Sequence, residues 1–268
     1  MEPPAAGELL DERFELRAVA GRGGMGTVYR ALDRASGREV ALKVMHEHAG
    51  LGRFAREARV LAELDHPAIV RLVASGRAAQ GTHYLAMEWL EGVTLFERLR
   101  DGGLTVEETL AMARRLAAGL SAAHERGVVH RDIKPSNVLL VGGAAEDCRI
   151  LDFGIAHARL DAPLTRAGVA IGTPGYMAPE QVRGDAHVDA RADAFSLGCV
   201  LYECLVGAPP FVGTDPYALL SKILLEGIPR VRERRPELDE DLDALGAALM
   251  AREPPARPAT LPEVAPPL

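Results

Sequence analysis

Apolar and polar positions change period along the chain, and the changes mark out its elements. Phe14 to Ala20, Thr27 to Leu32 and Glu39 to Met45 read as three strands, the last two separated by the turn Asp33-Arg34-Ala35-Ser36-Gly37. From Phe54 to Leu64 the spacing becomes helical, with Phe54, Ala58, Leu61 and Leu64 on one stripe. His66-Pro67 stops that helix, and Ile69 to Ala74 and Thr82 to Met87 read as two further strands. Five strands and one main helix make a small N-terminal lobe, and Glu88-Trp89-Leu90-Glu91-Gly92 reads as a linker. Beyond it the period is mainly helical. Thr105-Val106-Glu107-Glu108 is a capping box that opens a helix to about Arg126, with Leu110, Ala113, Leu116, Ala117, Leu120 and His124 on one stripe. Val138 to Val141 and Arg149 to Leu151 are short strands around the turn signal Gly142-Gly143. Ala194 to Val206 is apolar on nearly all faces, which predicts a buried axial helix. Pro216 sits in the first turn of a helix reaching Gly227, and Leu242 to Met250 is a further helix.

Two stretches carry polar groups that this pattern does not need. The first runs from His130 to Gly154: it opens His130-Arg131-Asp132-Ile133-Lys134-Pro135-Ser136-Asn137 and closes Asp152-Phe153-Gly154. The hairpin between its two polar loops would bring them side by side, so that Asp132, Asn137 and Asp152 converge. Such an oxygen-rich set suits one or two hard cations with positions left open for phosphate oxygens. The second is Gly21-Arg22-Gly23-Gly24-Met25-Gly26, a G-x-G-x-x-G pattern that serves unrelated designs. A dinucleotide fold would need a helix next and an acidic residue about 20 positions on. Thr27-Val28-Tyr29-Arg30 is a poor helix start, and Thr27 rather than Lys follows Gly26, which excludes a Walker loop. What remains is a glycine-rich hairpin whose amides can approach phosphates unobstructed by side chains. Lys43, flanked by apolar residues on the third strand, is either a snorkelling edge lysine or a functional one, and the latter requires a buried carboxylate. Glu57, one turn before Leu61, lies on or near the inward face of the first helix, among the charges Arg53, Arg56, Arg59 and Glu63.

Taken together, His-Arg-Asp-x-Lys-x-x-Asn, Asp-Phe-Gly, the glycine loop with Val28, and Val40-Ala41-Leu42-Lys43 resemble the protein kinase family, and most closely its bacterial eukaryotic-like serine/threonine members. The resemblance covers residues 10 to 258 and implies an α+β, bilobal protein-kinase fold. Its parts would be an N-lobe at 10–87 with a small five-stranded antiparallel sheet and one main helix, a hinge at 88–92, and a larger, mainly helical C-lobe at 93–258, with flexible ends at 1–9 and 259–268. It implies that Gly21, Gly23 and Gly26 cover the ATP phosphates and that Lys43, paired with Glu57, grips the α- and β-phosphates. Val28, Ala41 and Leu139 would sandwich the adenine, Met87 would guard the back of the pocket, and hinge backbone at Glu88 and Leu90 would bond the ring edge. Asp132 would be the base facing the substrate hydroxyl, Lys134 the contact to the γ-phosphate, and Asn137 and Asp152 the ligands of Mg²⁺, with Mn²⁺ an allowed substitute. Thr173, in Gly172-Thr173-Pro174-Gly175-Tyr176-Met177-Ala178-Pro179-Glu180, would help choose Ser or Thr acceptors. Asp193 would cap the axial helix and hold the catalytic-loop backbone, and Arg257 would pair with Glu180. His130 and Phe153 would join Leu61 and Leu72 in an apolar spine. Thr165 is the one hydroxyl residue between Gly154 and Gly172. With Arg131 beside Asp132, it is the candidate autophosphorylation site.

Composition narrows the partners. Of 268 residues, 48% are hydrophobic and 26% charged, as in ordinary globular proteins, and the net charge of −7 speaks against nucleic acid as the main partner. The three cysteines are scattered, with no Cys-x-x-Cys pair, which fits buried thiols in a reducing compartment rather than a disulfide frame or zinc site. No basic stretch followed by an apolar run marks a secretory signal, and the most apolar window is broken by Glu203, Pro209 and Pro210, so no membrane segment is expected. The resemblance implies an enzyme that moves the ATP γ-phosphoryl group onto Ser or Thr of proteins, with a transient homodimer allowed for autophosphorylation, and a cytoplasmic location is expected. The alternative is a nucleotide-binding pseudokinase scaffold. A small-molecule kinase is disfavoured by the 172–180 docking loop.

Overall fold

The computed structural model describes residues 7–23, 26–46, 58, 62–78, 81–153 and 174–261. They fall into two compact units: residues up to His66 with Val70–Glu91, and Pro67–Ile69 with the chain from Gly92 onward.

The first unit is one antiparallel sheet of β1 (Leu9–Leu10), β2 (Phe14–Gly23), β3 (Gly26–Asp33), β4 (Arg38–Met45), β5 (Leu72–Arg77) and β6 (His83–Glu88), in the order β1-β2-β3-β4-β6-β5. Alternation decides its two faces. Tyr29 and Ala31 on β3, and Val40, Leu42 and Val44 on β4, are buried with Phe14, Leu16 and Tyr84 in a single core. Val28 and Arg30, and Glu39, Ala41 and Lys43, occupy the other, half-exposed face. Among the described residues this sheet has six strands where five were expected. The extra one is the two-residue β1, too short to show a period, which pairs Leu9 with Glu15 and Leu10 with Phe14. The strand expected from Ile69 begins only at Leu72, while Ile69 bridges to Ile150 in the second unit. The strand expected to end at Met87 runs to Glu88, opposite Val40. Of the helix expected at Phe54–Leu64, Ala58 and Ala62 are described and helical, with Ala58 buried.

The second unit is mainly helical: α1 (Leu95–Arg100), α2 (Val106–His124), α3 (Pro179–Arg183), α4 (Arg191–Val206), α5 (Pro216–Leu225) and α6 (Glu240–Leu249). A three-stranded sheet, β7 (Gly92–Thr94), β8 (Val138–Val141) and β9 (Cys148–Ile150), runs beside them. The predicted capping box opens α2: the Glu108 amide donates to Thr105 Oγ1 at 3.2 Å and the Thr105 amide to Glu108 Oε2 at 2.8 Å. Gly127, at φ 73°, turns the chain just past its end. α4 is the buried axis: only Arg191, Glu203 and Val206 of its residues escape burial. β8 and β9 form the predicted hairpin, Val138 opposite Ile150 and Leu140 opposite Cys148. That hairpin carries the polar loops at 130–137 and 151–153.

Candidate active site

The 130–137 loop is built around a buried carboxylate. Asp193, in the first turn of α4, is fully buried. Its oxygens accept from the amides of His130 at 2.8 Å and Arg131 at 2.7 Å, and one lies 2.7 Å from His124 Nε2. A charge at this depth is sustained by such donors. They also hold Arg131 at φ 65°, a left-handed conformation that a residue with a Cβ seldom adopts. His130 is buried against Phe153, with ring centroids 4.7 Å apart. Its Nδ1 accepts from the Asp132 amide at 3.2 Å, which places the proton on Nε2, 2.8 Å from the Leu151 carbonyl. His130 therefore ties the loop to the end of β9.

Asp132 meets Lys134 Nζ at 2.8 and 3.0 Å, and both side chains are 18% exposed. Asn137 donates from Nδ2 to Asp132 Oδ2 at 2.9 Å and to its carbonyl at 2.8 Å. With its side-chain NH₂ spent on Asp132, Asn137 keeps Oδ1 as the atom it can offer a ligand. The Leu151 amide donates to the Asn137 backbone carbonyl at 2.8 Å, joining the loop to the residue before Asp152. Asp152 is itself left-handed, at φ 50°. Asp132, Lys134 and Asn137 are thus brought together, with Asp152 held to them through Leu151.

The segment that follows is described from Pro174. Ser196 Oγ donates to the Tyr176 carbonyl at 2.7 Å, and Tyr176 Oη donates to Glu203 Oε2 at 2.5 Å. Burial, and then the hydrogen bond to Glu203, push the Tyr176 phenol far up; burial also raises the Glu203 carboxyl, against the opposing hydrogen bond from Tyr176. Gln181 donates to the Arg131 carbonyl at 2.9 Å and accepts from the Ala178 amide at 3.0 Å, coupling this segment to the 130–137 loop. Sequence reasoning assigned nothing to Gln181, Ser196 or Glu203; only Gln181 left a signal, its place directly after Ala-Pro-Glu. Arg257 pairs with Glu180 at 2.6 and 2.8 Å, as expected, and both are buried. Arg257 also donates to the carbonyls of Arg191, Ala251 and Arg252.

In the first unit, Lys43 lies opposite Val28 and Leu85, and Ala41 opposite Met87, all in strand register. Glu88 is fixed at the end of β6, its amide donating to the Arg71 carbonyl at 3.0 Å and its carboxylate accepting from the Arg71 amide at 2.9 Å. Gly23 faces Gly26 across the β2–β3 hairpin. A Cβ on Gly21 would meet nothing within 4 Å, whereas one on Gly26 would collide with the Val44 carbonyl. Glu57, Thr165 and Thr173 lie outside the described residues.

A family model described as the protein kinase domain matches residues 14–265. The chain belongs to the protein kinase family. This kinase domain is 40% identical over 263 residues to the DNA damage-responsive serine/threonine-protein kinase RqkA of Deinococcus radiodurans, covering 96% of this chain and 39% of that protein. It is 38% identical over 266 residues to the serine/threonine-protein kinase PknB of Mycobacterium tuberculosis, covering 95% and 42%. The chain thus spans about two fifths of the length of the curated relatives it matches. A crystal structure of Rad53 1–466 in complex with AMP-PNP superposes with a TM-score of 0.77 at 27% identity, covering 94% of this chain and 64% of that one. The two units are the sheet lobe and the helical lobe of the kinase domain's α+β fold.

Proposed function

We propose that the chain is a serine/threonine protein kinase that transfers the γ-phosphoryl group of ATP to Ser or Thr hydroxyls of proteins. The observation that carries this reading is the Asp132–Lys134–Asn137 cluster, hydrogen-bonded throughout and anchored on Asp193. Asp132 accepts the hydrogen bond of the incoming hydroxyl and takes its proton as the oxygen–phosphorus bond forms and the bond to ADP breaks. A carboxylate is a weak base, so its contribution is chiefly orientation. Lys134, fixed beside Asp132, offsets charge on the transferred group.

Among the described residues no cluster of three His, Cys, Asp or Glu is placed to hold a metal on its own. Mg²⁺ takes one or two protein oxygens and completes its octahedron with phosphate oxygens and water. Asn137 and Asp152 would hold it, with Mn²⁺ an allowed substitute, and the ion would neutralise the phosphates during transfer. The open space over Gly21 leaves room for phosphates against the hairpin. Lys43 with Glu57 would align them, Val28, Ala41, Leu139 and Met87 would border the adenine, and backbone at Glu88 and Leu90 would bond it.

Thr165 is the proposed activating autophosphorylation site, reached in a transient homodimer. It is supported by Arg131, whose buried Nε has no hydrogen-bond partner among the described residues. Thr173 would favour Ser and Thr acceptors. The proposed partners are proteins, not nucleic acid, in the cytoplasm. Three buried free thiols accord with a reducing compartment, and no helix among the described residues is long and apolar enough to cross a membrane. Mass-spectrometric site mapping after incubation with ATP and Mg²⁺ tests the reading. Phosphate on Thr165 in wild type and none in Asp132→Asn supports it. An unmodified wild type that still binds nucleotide favours the pseudokinase scaffold.

A further inference from the structure

The sheet face that presents Val28, Ala41 and Lys43 continues, along the same strands, into a cluster that the proposed reaction leaves unassigned. Arg30 stands two residues beyond Val28 on β3 and opposite Ala41, and Glu39 stands two residues before Ala41 on β4. Period-two alternation puts them on the Lys43 face, at the end nearest the end of β6. Arg30 forks onto Glu39, Nε to Oε1 at 3.0 Å and Nη2 to Oε2 at 2.5 Å. Its guanidinium carbon also lies 5.0 Å from the Trp89 ring centroid, and Nη2 lies 3.5 Å from Glu91 Oε1. The Trp89 indole N–H donates to that same Glu91 oxygen at 2.8 Å. Trp89, Leu90 and Glu91 lie past the last ladder residue of β6, so the sheet's backbone bonds do not fix them. Side chains do: the Glu88 carboxylate accepts from the Arg71 amide on one side, and Trp89 and Glu91 contact Arg30 on the other.

We propose that Arg30 and Trp89 are positioning residues for nucleotide binding: their stack holds backbone 88–91 in the register that presents its N–H and C=O groups to the adenine edge. This rests on the ATP-binding reading given above. A guanidinium suits the place because its plane covers the indole while its fork engages Glu39; an ammonium satisfies one contact at a time.

Trp89 is the sole tryptophan of the chain, so intrinsic fluorescence reports from this segment. Titration of the wild type with AMP-PNP and Mg²⁺ gives a saturable emission change. In Arg30→Ala the AMP-PNP Kd and the KM for ATP both rise by roughly fivefold, the order expected for loss of one exposed cation–π contact, while kcat at saturating ATP stays within about twofold. Arg30→Lys falls between the two. Trp89→Phe, which keeps a ring, raises KM less than Trp89→Ala. Arg13→Ala breaks a different ion pair of the same unit, to Asp33, and lowers the melting temperature with Kd unchanged. Unchanged Kd and KM in Arg30→Ala, or an equal rise in Arg13→Ala, overturns the positioning role. A wild type that binds no AMP-PNP instead overturns the functional reading beneath it.

Discussion

Arg131 and Asp152 hold left-handed φ angles without being glycine, a conformation that costs about 1–3 kcal/mol at each such residue. At Arg131 the offset is visible, because its amide points at a buried carboxylate that also binds the His130 amide. Asp11 and Glu12, in the turn between β1 and β2, are left-handed as well, so such strain is not confined to the groups proposed to handle charge; at Arg131 it is held by hydrogen bonds. The glycine loop divides its labour in a related way. Gly26 is required by the sheet, since any Cβ strikes the Val44 carbonyl, whereas Gly21 faces open space. Gly26→Ala should therefore lose about 1–3 kcal/mol of stability through overpacking against rigid backbone. Gly21→Ala should melt with the wild type and raise the KM for ATP. Thermal unfolding and ATP-dependent kinetics on the two variants check this, and similar melting losses in both would refute the division.

At the scale of elements, the sequence marked those whose signals are local. The Thr105 capping box, the double-glycine hairpin turn and the all-round apolar run of α4 each emerged where the pattern placed them. The Thr94–Glu97 box that starts α1 has the same spacing, but only six residues follow it, too few to display a helical period. β1 was missed because two residues cannot show alternation. Among site residues, Asp132, Lys134 and Asn137 were legible because they sit within six positions of one another. Gln181 and Glu203 act through the fold: each reaches a partner more than 25 positions away that no spacing rule connects. The β3–β4 turn offers a test of a local signal that gained a distant partner. Asp33, fully buried, accepts from Arg13 Nε and Nη2 at 2.7 and 2.8 Å and from Ser36 Oγ at 2.8 Å. The Arg13 guanidinium holds its carboxyl far below the ordinary value of 3.8, against the opposing pull of burial. A depressed native pKa contributes stability that is fully present above the unfolded-state value and is lost progressively as pH falls below it through the native-state value. Urea unfolding should show a constant contribution from pH 7 to about pH 5 and a decline below about pH 4. Asp33→Asn should be less stable at pH 7 and lose part of that acid slope, whereas equal slopes would contradict the assignment.

On the scale of the whole molecule, all three cysteines are buried and free. Burial pushes the Cys148 thiol up to about 12 and raises Cys199 and Cys204 as well. Thiolate is the reactive form, so at pH 8 the native protein should resist alkylation at all three positions and react fully only in denaturant. Counting labelled thiols by intact mass checks this, and rapid labelling of any one of them in the folded state would contradict its burial. The proposed phosphoryl transfer by this kinase domain runs through the cluster at Asp132. The most direct measurement is the initial rate of transfer from γ-labelled ATP to a generic protein substrate with Mg²⁺, followed by phosphoamino-acid analysis, in wild type and Asp132→Asn. Label is expected on serine and threonine, with a drop of roughly 10²–10⁴-fold in kcat for the variant and its melting temperature retained. Equal rates in the two proteins, or label confined to tyrosine, would contradict it.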